Sequence, residues 1–227
     1  MTANRSPGKS MITRLYDNRF SSEELAFKKE MWTVLVEDFF QRYIDPCATV
    51  LDLGAGSCEF LNAVRCKKKI AVDLNPETAA HAQGAEVLQV PSDDLKPVED
   101  GSVDVVFASN FFEHLPDKKT LLLTLSECRR VLGPSGKLIL LQPNIRYLAG
   151  RYWDYFDHHT PLSHLSMVEA LDLSGFRAIQ VVPRFLPYTV KSRLPRSASL
   201  LRLYLRVPIA WRLLGRQMLI VANLDTV

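Results

Sequence analysis

Residues 49–60, TVLDLGAGSCEF, decide the fold of this chain. The stretch begins with a continuous apolar run, which is typical of a strand that is covered on both faces. Gly54 and Gly56 follow that run directly, and glycine lets the backbone turn sharply and approach a ligand closely. We therefore interpret the stretch as the first strand of a parallel sheet and the ligand-binding turn that follows it.

Short apolar runs and helical patterns alternate along most of the chain. Ser21 and Glu24 have the spacing of a capping box, and the helix that follows them ends before Pro46. The alternation predicts an α/β fold in which helices cover both faces of a mostly parallel sheet. Further strands are predicted in KIAVDLN, AEVLQV, SVDVVFASN, GPSGKLILLQPN, GFRAIQVVPRFLP and QMLIVANL, and helices over residues 59–67, 76–83 and 166–173 and in KKTLLLTLSECRRVL.

The regular rhythm is interrupted twice. Residues 145–165 are rich in aromatics and histidines, and residues 186–216 are basic, leucine-rich and contain several prolines. We predict an N-terminal segment and helix over residues 1–45, and a main domain over residues 46–227 that carries these two insertions.

The composition is that of a soluble globular protein, with 47% hydrophobic and 23% charged residues. No apolar run approaches the roughly 18 residues of a membrane span, and the polar start MTANRSPGKSM is unlike a secretory signal. The four cysteines form no CxxC pair and have no metal-ligand spacing. We therefore expect reduced thiols in a cytoplasmic protein.

Charge is distributed unevenly along the chain. Residues 173–224 contain nine Lys and Arg and no Asp or Glu, which leaves 19 basic and 25 acidic residues elsewhere. A mildly acidic body thus carries a basic C-terminal portion. In SLLRLYLRVPIAWRLLGRQ, two pairs of arginines lie four residues apart among leucines: Arg202 and Arg206, then Arg212 and Arg216. This pattern suits either an anionic membrane surface or a phosphorylated substrate, and equally a packed helical insertion with its arginines in water. Nucleic acid is disfavoured, because the body is acidic and no recognition module is present.

The spacing of the glycines separates two classes of ligand. A dinucleotide turn, G-x-G-x-x-G, would place its third glycine at position 59, where Glu59 would repel a pyrophosphate. A nicotinamide-dependent dehydrogenase is therefore disfavoured, and we expect Glu59 to be solvated in the first turn of a helix. Asp73 ends the second strand, 17 residues beyond Gly56, where an acid would hold ribose hydroxyls.

Several blocks in order carry a resemblance to a known family: VLDLGAG, IAVDLN, DGSVDVVFASNFFEHL, LSECRRVLGPSGKLILLQPN, SGF and the closing strand. Together they resemble the class I S-adenosylmethionine-dependent methyltransferases, in particular the small-molecule group of type 11/12. The resemblance spans roughly residues 49–224. It implies a Rossmann-like sheet of seven strands whose last strand is antiparallel, and S-adenosyl-L-methionine as the cofactor.

The resemblance also implies roles for individual residues. Cys58 departs from the frequent third glycine of the family, and we expect it to be a small apolar filler. Tyr16, Arg19 and Phe20 would either fold over the cofactor as a lid or form an unstructured tail. The implied cofactor residues are Asp52, Gly54, Ala55 and Gly56 at the methionine half, Asp73 at the ribose, Leu74 at the adenine, Ser92 and Asp93 after the third strand, and Asn110 and Phe111 after the fourth.

The candidate bases are His114, His158, His159 and His164, and the first three are the predicted catalytic residues. A neutral oxygen or nitrogen acceptor needs a base to take its proton, and histidine titrates in the suitable range. His158 and His159 with Asp154, Asp157 and His164 would be the alternative metal ligands, but their pattern matches no metal site and we expect no metal. Aromatic residues of the same insertion are expected to form a wall or cover of the acceptor site: Tyr147, Tyr152, Trp153, Tyr155 and Phe156.

The predicted function is methyl transfer to an oxygen or nitrogen of a small-molecule acceptor. Residues 157–176 resemble methyltransferases of polysaccharide assembly, which favours a saccharide or a lipid-linked acceptor. A non-catalytic module that binds S-adenosylmethionine is the alternative.

Overall fold

The computed structural model describes residues 22–148, 150, 152–187 and 197–225. Seven strands are present: β1 (Thr49–Leu53), β2 (Lys68–Val72), β3 (Glu86–Leu88), β4 (Val103–Ser109), β5 (Leu132–Pro143), β6 (Phe176–Val182) and β7 (Gln217–Leu224). The helices are α1 (Ser22–Asp38), α2 (Glu59–Ala63), α3 (Thr78–His81), α4 (Lys118–Val131), α5 (His164–Leu173), α6 (Ala198–Leu205) and α7 (Pro208–Leu214). Short 3-10 helices span Phe40–Tyr43 and Phe112–His114.

The strands form one sheet in the order β3-β2-β1-β4-β5-β7-β6. All pairs are parallel except those of β7, which runs antiparallel to β5 and β6. The predicted seven-stranded, mostly parallel sheet with an antiparallel last strand is confirmed. The strand order reverses between β1 and β4, and ligands of open α/β sheets bind beside such a reversal, at the carboxyl ends of the strands.

Helices cover both faces of the sheet because neighbouring residues of each strand point to opposite sides. In β1, Leu51 belongs to the apolar layer that contains buried residues of α4 and α5. Val50 belongs to the layer that contains buried residues of α1, α2 and α6. Both faces of the central strands are thus buried, which explains why their sequences are continuous apolar runs.

The helix boundaries differ from the prediction where side chains capture the backbone. The helix predicted over residues 59–67 ends at Ala63, because Gln41 accepts a hydrogen bond from the Arg65 N–H and donates one to the Arg65 carbonyl. The helix predicted from Ser166 already begins at His164, since Ser163 and Ser166 form a capping box there.

The second insertion contains two helices, α6 and α7, in its described part. Pro208 is the first residue of α7, a position where the missing N–H costs nothing and the fixed φ suits a helix. Across the described ranges, no helix has both the length and the apolar character to cross a membrane.

Candidate functional site

The glycine turn lies directly after β1 at the carboxyl edge of the sheet. Gly54 and Gly56 have φ of 73° and 52°, in the left-handed region that glycine adopts without strain. The N–H groups of Gly54 and Ala55 both donate to the Val72 carbonyl at the end of β2, at 2.8 and 3.2 Å. A Cβ built on Gly54 would lie 2.3 Å from Cδ2 of Phe111. The predicted turn is therefore present, and glycine is required at its first position on two grounds.

Asp73 ties the end of β2 to this turn. Its Oδ2 accepts a hydrogen bond from the Gly56 N–H at 2.7 Å, and its Oδ1 accepts one from the Asn75 N–H at 2.8 Å. A carboxylate oxygen can accept more than one hydrogen bond, so both oxygens keep capacity for ligand hydroxyls. The backbone contacts fix the carboxylate in orientation before any ligand arrives.

Three carboxylates converge on the turn. Asp52 is buried, and burial raises its pKa well above the usual range, with further increases from the Glu59 and Asp73 carboxylates and a decrease from Lys28. Such a site stabilises a positively charged ligand, because a nearby cation favours the ionised carboxylates. S-adenosylmethionine carries a sulfonium and an ammonium group at its methionine end, so the charges of the turn suit it.

Two residues of the turn differ from simple expectation. Glu59 was expected to be solvated, which is wrong: it forms an ion pair with Lys28 of α1 at 2.9 Å, and only 12% of its side chain is exposed. Cys58 is fully buried in the apolar layer, as expected of a filler, but its φ is 58°. Cys58 thus adopts the left-handed backbone conformation that favours glycine.

The other predicted cofactor residues lie around the same edge. Leu74 is half exposed directly after Asp73, where an apolar platform for an adenine ring would be needed. Asp93 is partly buried in the loop after β3. The Ser92 hydroxyl is buried and hydrogen-bonded to Thr124 of α4 at 2.8 Å, so a ligand contact at Ser92 would come from its backbone.

Asn110 and Phe111 follow β4 and close the edge beside the turn. Asn110 has a φ of 49°, and its side-chain oxygen accepts a hydrogen bond from Gln217 at the start of β7. The Phe111 N–H donates to Oε1 of the buried Gln142 of β5 at 3.2 Å. This arrangement directs the Phe111 ring onto Gly54, and the chain continues from there into the 3-10 helix that carries His114.

A second cluster forms where the insertion after β5 packs on that 3-10 helix. His114 Nδ1 lies 2.9 Å from the Asp157 carbonyl and 3.2 Å from Asp157 Oδ2. The rings of His114 and His158 are 4.9 Å apart, edge to face. Nδ1 of His158 lies 2.7 Å from the Tyr152 carbonyl. Two of the three predicted catalytic histidines are thus brought together, and His114 lies three residues after Phe111, whose ring packs on Gly54.

The tautomers of the two rings follow from these partners. A backbone carbonyl only accepts hydrogen bonds, so Nδ1 carries the hydrogen in both His114 and His158 when the rings are neutral. Nε2 is then the basic nitrogen of each ring. The geometry presents two imidazoles that can each take a proton at Nε2.

Glu113 is the residue of this cluster that the sequence analysis missed. It is 1% exposed, its Oε1 accepts a hydrogen bond from the Tyr152 hydroxyl, and its Oε2 has no partner among the described residues. Its carbonyl accepts hydrogen bonds from the N–H groups of His159 and Thr160, which fastens the insertion to the 3-10 helix. The sequence feature that could have indicated a buried acid is the single acidic residue within the stretch FFEHL, which is otherwise largely apolar.

The remaining candidates of this region lie apart from the cluster. His159 is exposed beside Phe156, and His164 lies at the start of α5, with Nδ1 3.0 Å from the Asn144 amide. Of the aromatic wall, Tyr152, Trp153 and Tyr155 lie around His158, whereas Phe156 is 81% exposed and Tyr147 packs under the Arg184 guanidinium. The structure thus brings only part of the set together, and a wall of the acceptor site stays a prediction. The lid residues Tyr16, Arg19 and Phe20 fall outside the described residues.

His114, Asp157 and His158 also offer metal-ligand atoms within 4.8 Å of one another. Asp154 and His164 do not belong to this group, so the alternative ligand set of the sequence analysis is not assembled. Both Nδ1 atoms lie within hydrogen-bond distance of carbonyls, which accounts for the ring orientations without an ion. A site without metal stays our prediction.

The buried Glu113 carboxyl makes a pH-dependent prediction. Burial raises its pKa, because the ionised carboxyl is poorly solvated in the folded chain. The free energy of unfolding therefore falls as the pH rises from the unfolded-state pKa to the folded-state pKa of this carboxyl. Glu113→Gln should therefore raise the free energy of unfolding at pH 8 by about 1 kcal/mol or more, and change it less at pH 5. Urea unfolding at both pH values measures this.

Glu127 provides the matched control, because hydrogen bonds from Arg130 lower its pKa. Glu127→Gln should act with the opposite sign and lower the stability at pH 8. Equal effects of Glu113→Gln at the two pH values would contradict the role of the buried charge.

Comparison with known proteins confirms the resemblance on which the cofactor residues were predicted. The family described as "Methyltransferase domain" matches residues 51–140. The chain is 30% identical over 162 residues to a probable S-adenosylmethionine-dependent methyltransferase of Mycolicibacterium smegmatis, covering 66% of this chain and 60% of that protein. A similarly named protein of Mycobacterium tuberculosis is 34% identical over 130 residues, covering 53% of this chain and 46% of that protein. The chain therefore spans about half of the length of these relatives.

A crystal structure of an S-adenosylmethionine-dependent methyltransferase from Archaeoglobus fulgidus superposes with a TM-score of 0.65 at 22% identity. The superposition covers 94% of this chain and all of that chain. At this identity the likeness concerns the fold, which agrees with the strand order described above.

Proposed function

We propose that this chain, which carries a class I S-adenosylmethionine-dependent methyltransferase domain, transfers the methyl group of that cofactor to an oxygen or nitrogen of a small-molecule acceptor. The observation that supports this most is the contiguity of two clusters. The Phe111 ring packs on Gly54 of the cofactor turn, and His114, three residues later, packs against His158. Cofactor-binding groups and proton-accepting groups therefore lie along one edge of the sheet.

The cofactor supplies a methyl group that its sulfonium already activates, so the protein mainly positions the acceptor and excludes water. Asp52, Glu59 and Asp73 favour the positive charges at the methionine end, and Asp73 also presents its oxygens to the ribose. Nε2 of His158 or of His114 takes the proton that the acceptor atom loses. The Asp157 carboxylate, 3.2 Å from Nδ1, holds the His114 ring in its orientation.

A saccharide or a lipid-linked intermediate is the acceptor class that we propose. The partly exposed rings of Trp153 and Tyr155 beside His158 can pack on the apolar faces of a sugar ring, while the two imidazoles reach its hydroxyl groups. The alternative of a non-catalytic binding module would use the cofactor turn alone and would leave the second cluster without a role.

Titration calorimetry with S-adenosylhomocysteine and with NAD tests the cofactor, and transfer of labelled methyl groups to small-molecule extracts tests the reaction. We expect micromolar binding of S-adenosylhomocysteine, no binding of NAD, and label in an acceptor. Absence of S-adenosylhomocysteine binding would end the proposal. Binding without transfer to any acceptor fraction would favour the non-catalytic module.

The histidine cluster makes a separate prediction. His158→Ala should lower kcat by about 100-fold while the affinity for S-adenosylhomocysteine stays unchanged, because a general base acts on the acceptor only. His159→Ala is the matched control: its ring lies outside the cluster, so its kcat should change far less. A larger loss for His159→Ala than for His158→Ala would reassign the base.

A further inference from the structure

Helices α6 and α7 present an unusual density of exposed apolar side chains. Thirteen large apolar residues are exposed in the described ranges, and five of them lie on these two short helices. These five residues, which we call the outer face, are Leu200, Leu203, Ile209, Leu213 and Leu214. Isolated exposed leucines are ordinary, but exposed apolar side chains concentrated on two successive short helices indicate an interaction site.

The outer face is built at helical spacing, separately from the residues that fasten the helices to the domain. Leu201 and Leu205 are buried in the apolar layer that covers the sheet. Trp211 packs edge to face on Phe39 and Phe185. Because these residues hold the inner sides of both helices, the outer side chains are directed away from the domain by a fixed support. The outer face is therefore a feature of the folded chain.

Basic residues accompany the apolar ones. Arg206 lies three residues after Leu203, and Arg212 lies three after Ile209, so each arginine shares a side of its helix with an outer-face residue. Both are exposed, and no described carboxylate pairs with either. Residues 173–224 contain no acid at all. The one ion pair that the described residues form on these helices joins Arg202 of α6 to Asp38 of α1, so Arg206 and Arg212 keep uncompensated positive charge beside the outer face.

An open cavity of about 460 Å³ adjoins the outer face between α7 and the end of β6. Arg184 and Arg212 line it together with Trp211 and the half-exposed Val181. Arg184 is held in place by Tyr147, on whose ring it lies, and by hydrogen bonds to the carbonyls of Leu213 and Gly215. The cavity therefore continues the combination of apolar wall and positive charge.

We infer that the outer face of α6 and α7 binds the surface of an anionic lipid bilayer. Apolar side chains that project from a surface helix enter the boundary between headgroups and acyl chains, and arginines beside them contact anionic headgroups. The unpaired charges of Arg206 and Arg212 favour this occupant over a second copy of the chain, whose identical arginines would repel them. The inference does not depend on the catalytic activity.

Co-sedimentation of the full chain with vesicles tests the inference. At low salt we expect binding to vesicles of phosphatidylcholine and phosphatidylglycerol, and little binding to vesicles of phosphatidylcholine alone. The double variant Arg206→Ala/Arg212→Ala should weaken partitioning by about 25-fold, since each basic residue at an anionic surface contributes about fivefold. The double variant Leu203→Gln/Leu213→Gln should weaken it by about tenfold or more.

The double variant Leu122→Gln/Leu173→Gln is the matched control, because both leucines are exposed on α4 and α5, away from the outer face. It should bind vesicles like the unmodified chain. Absence of binding to anionic vesicles at low salt would overturn the inference, as would equal losses in the control. S-adenosylhomocysteine affinity, measured on all variants, should stay unchanged, which separates this result from the proposed function.

Self-association is measured in parallel by light scattering. A dimer that dissociates in Leu203→Gln/Leu213→Gln, with no vesicle binding by the unmodified chain, would assign the outer face to a contact between copies and contradict the lipid inference.

Discussion

Gly54→Ala is expected to abolish cofactor binding and to lower the free energy of unfolding by about 3 kcal/mol. Two costs add in this variant. An alanine at a φ of 73° costs about 1 kcal/mol relative to glycine. Its Cβ would also lie 2.3 Å from Cδ2 of Phe111, and relieving such overpacking costs about 1–3 kcal/mol. Displacement of the Phe111 ring would distort the turn that receives the methionine end of the cofactor.

Gly84→Ala separates the two costs. Gly84 has a φ of 66°, but a Cβ built there meets nothing within 4 Å. The variant should therefore lose about 1 kcal/mol from the backbone alone and should keep cofactor affinity. Urea unfolding and calorimetry with S-adenosylhomocysteine measure both variants. Equal stability losses would show that the contact with Phe111 has no energetic consequence.

Asp73→Ala should weaken S-adenosylhomocysteine binding by about 1,000-fold. Two hydrogen bonds from ribose hydroxyls to a carboxylate contribute about 1.5–3 kcal/mol each, and both disappear. Gly56 would also lose the acceptor that fixes its N–H, so the turn would be less well ordered before binding. Both effects act on affinity in the same direction.

Asp73→Asn is the conservative variant for this experiment, and Glu86→Ala is its control. Asparagine keeps one acceptor oxygen for the backbone and should recover part of the affinity. Glu86→Ala removes an exposed carboxylate that pairs with Lys68 at the start of β2 and β3, the opposite edge of the sheet. Its affinity should equal that of the unmodified chain. Unchanged affinity of a folded Asp73→Ala protein would refute the ribose assignment.

The sheet could be predicted from the sequence because its signals are local. Each central strand is a continuous apolar run, and two glycines directly after β1 predict the turn. Helix ends were predicted less well where a distant side chain sets them. Nothing near Ala63 in the sequence indicates that Gln41 will hold the backbone of Arg65.

In the candidate site, too, the residues set by local signals were predicted and those set by contacts between distant residues were not. The turn and Asp73 follow strands at fixed spacing, so their convergence follows from the topology of a parallel sheet. His114 and His158 are 44 residues apart, and only the packing of the insertion on the 3-10 helix brings them together. Glu113 was missed because burial of an acid requires a partner such as Tyr152, and no local pattern predicts that pairing.

Cys58, which has a positive φ in the turn, allows opening of the turn to be followed by thiol alkylation. Burial and the neighbouring carboxylates of Asp52, Glu59 and Asp73 raise the pKa of the Cys58 thiol to about 12, so almost no thiolate forms at neutral pH. Cys58 can react with an alkylating reagent only when the turn opens to water, whereas the exposed Cys47 reacts in the closed state. The rate at which Cys58 is alkylated therefore reports how often the cofactor turn opens, and Cys47, eleven residues earlier in the chain, serves as the internal reference thiol.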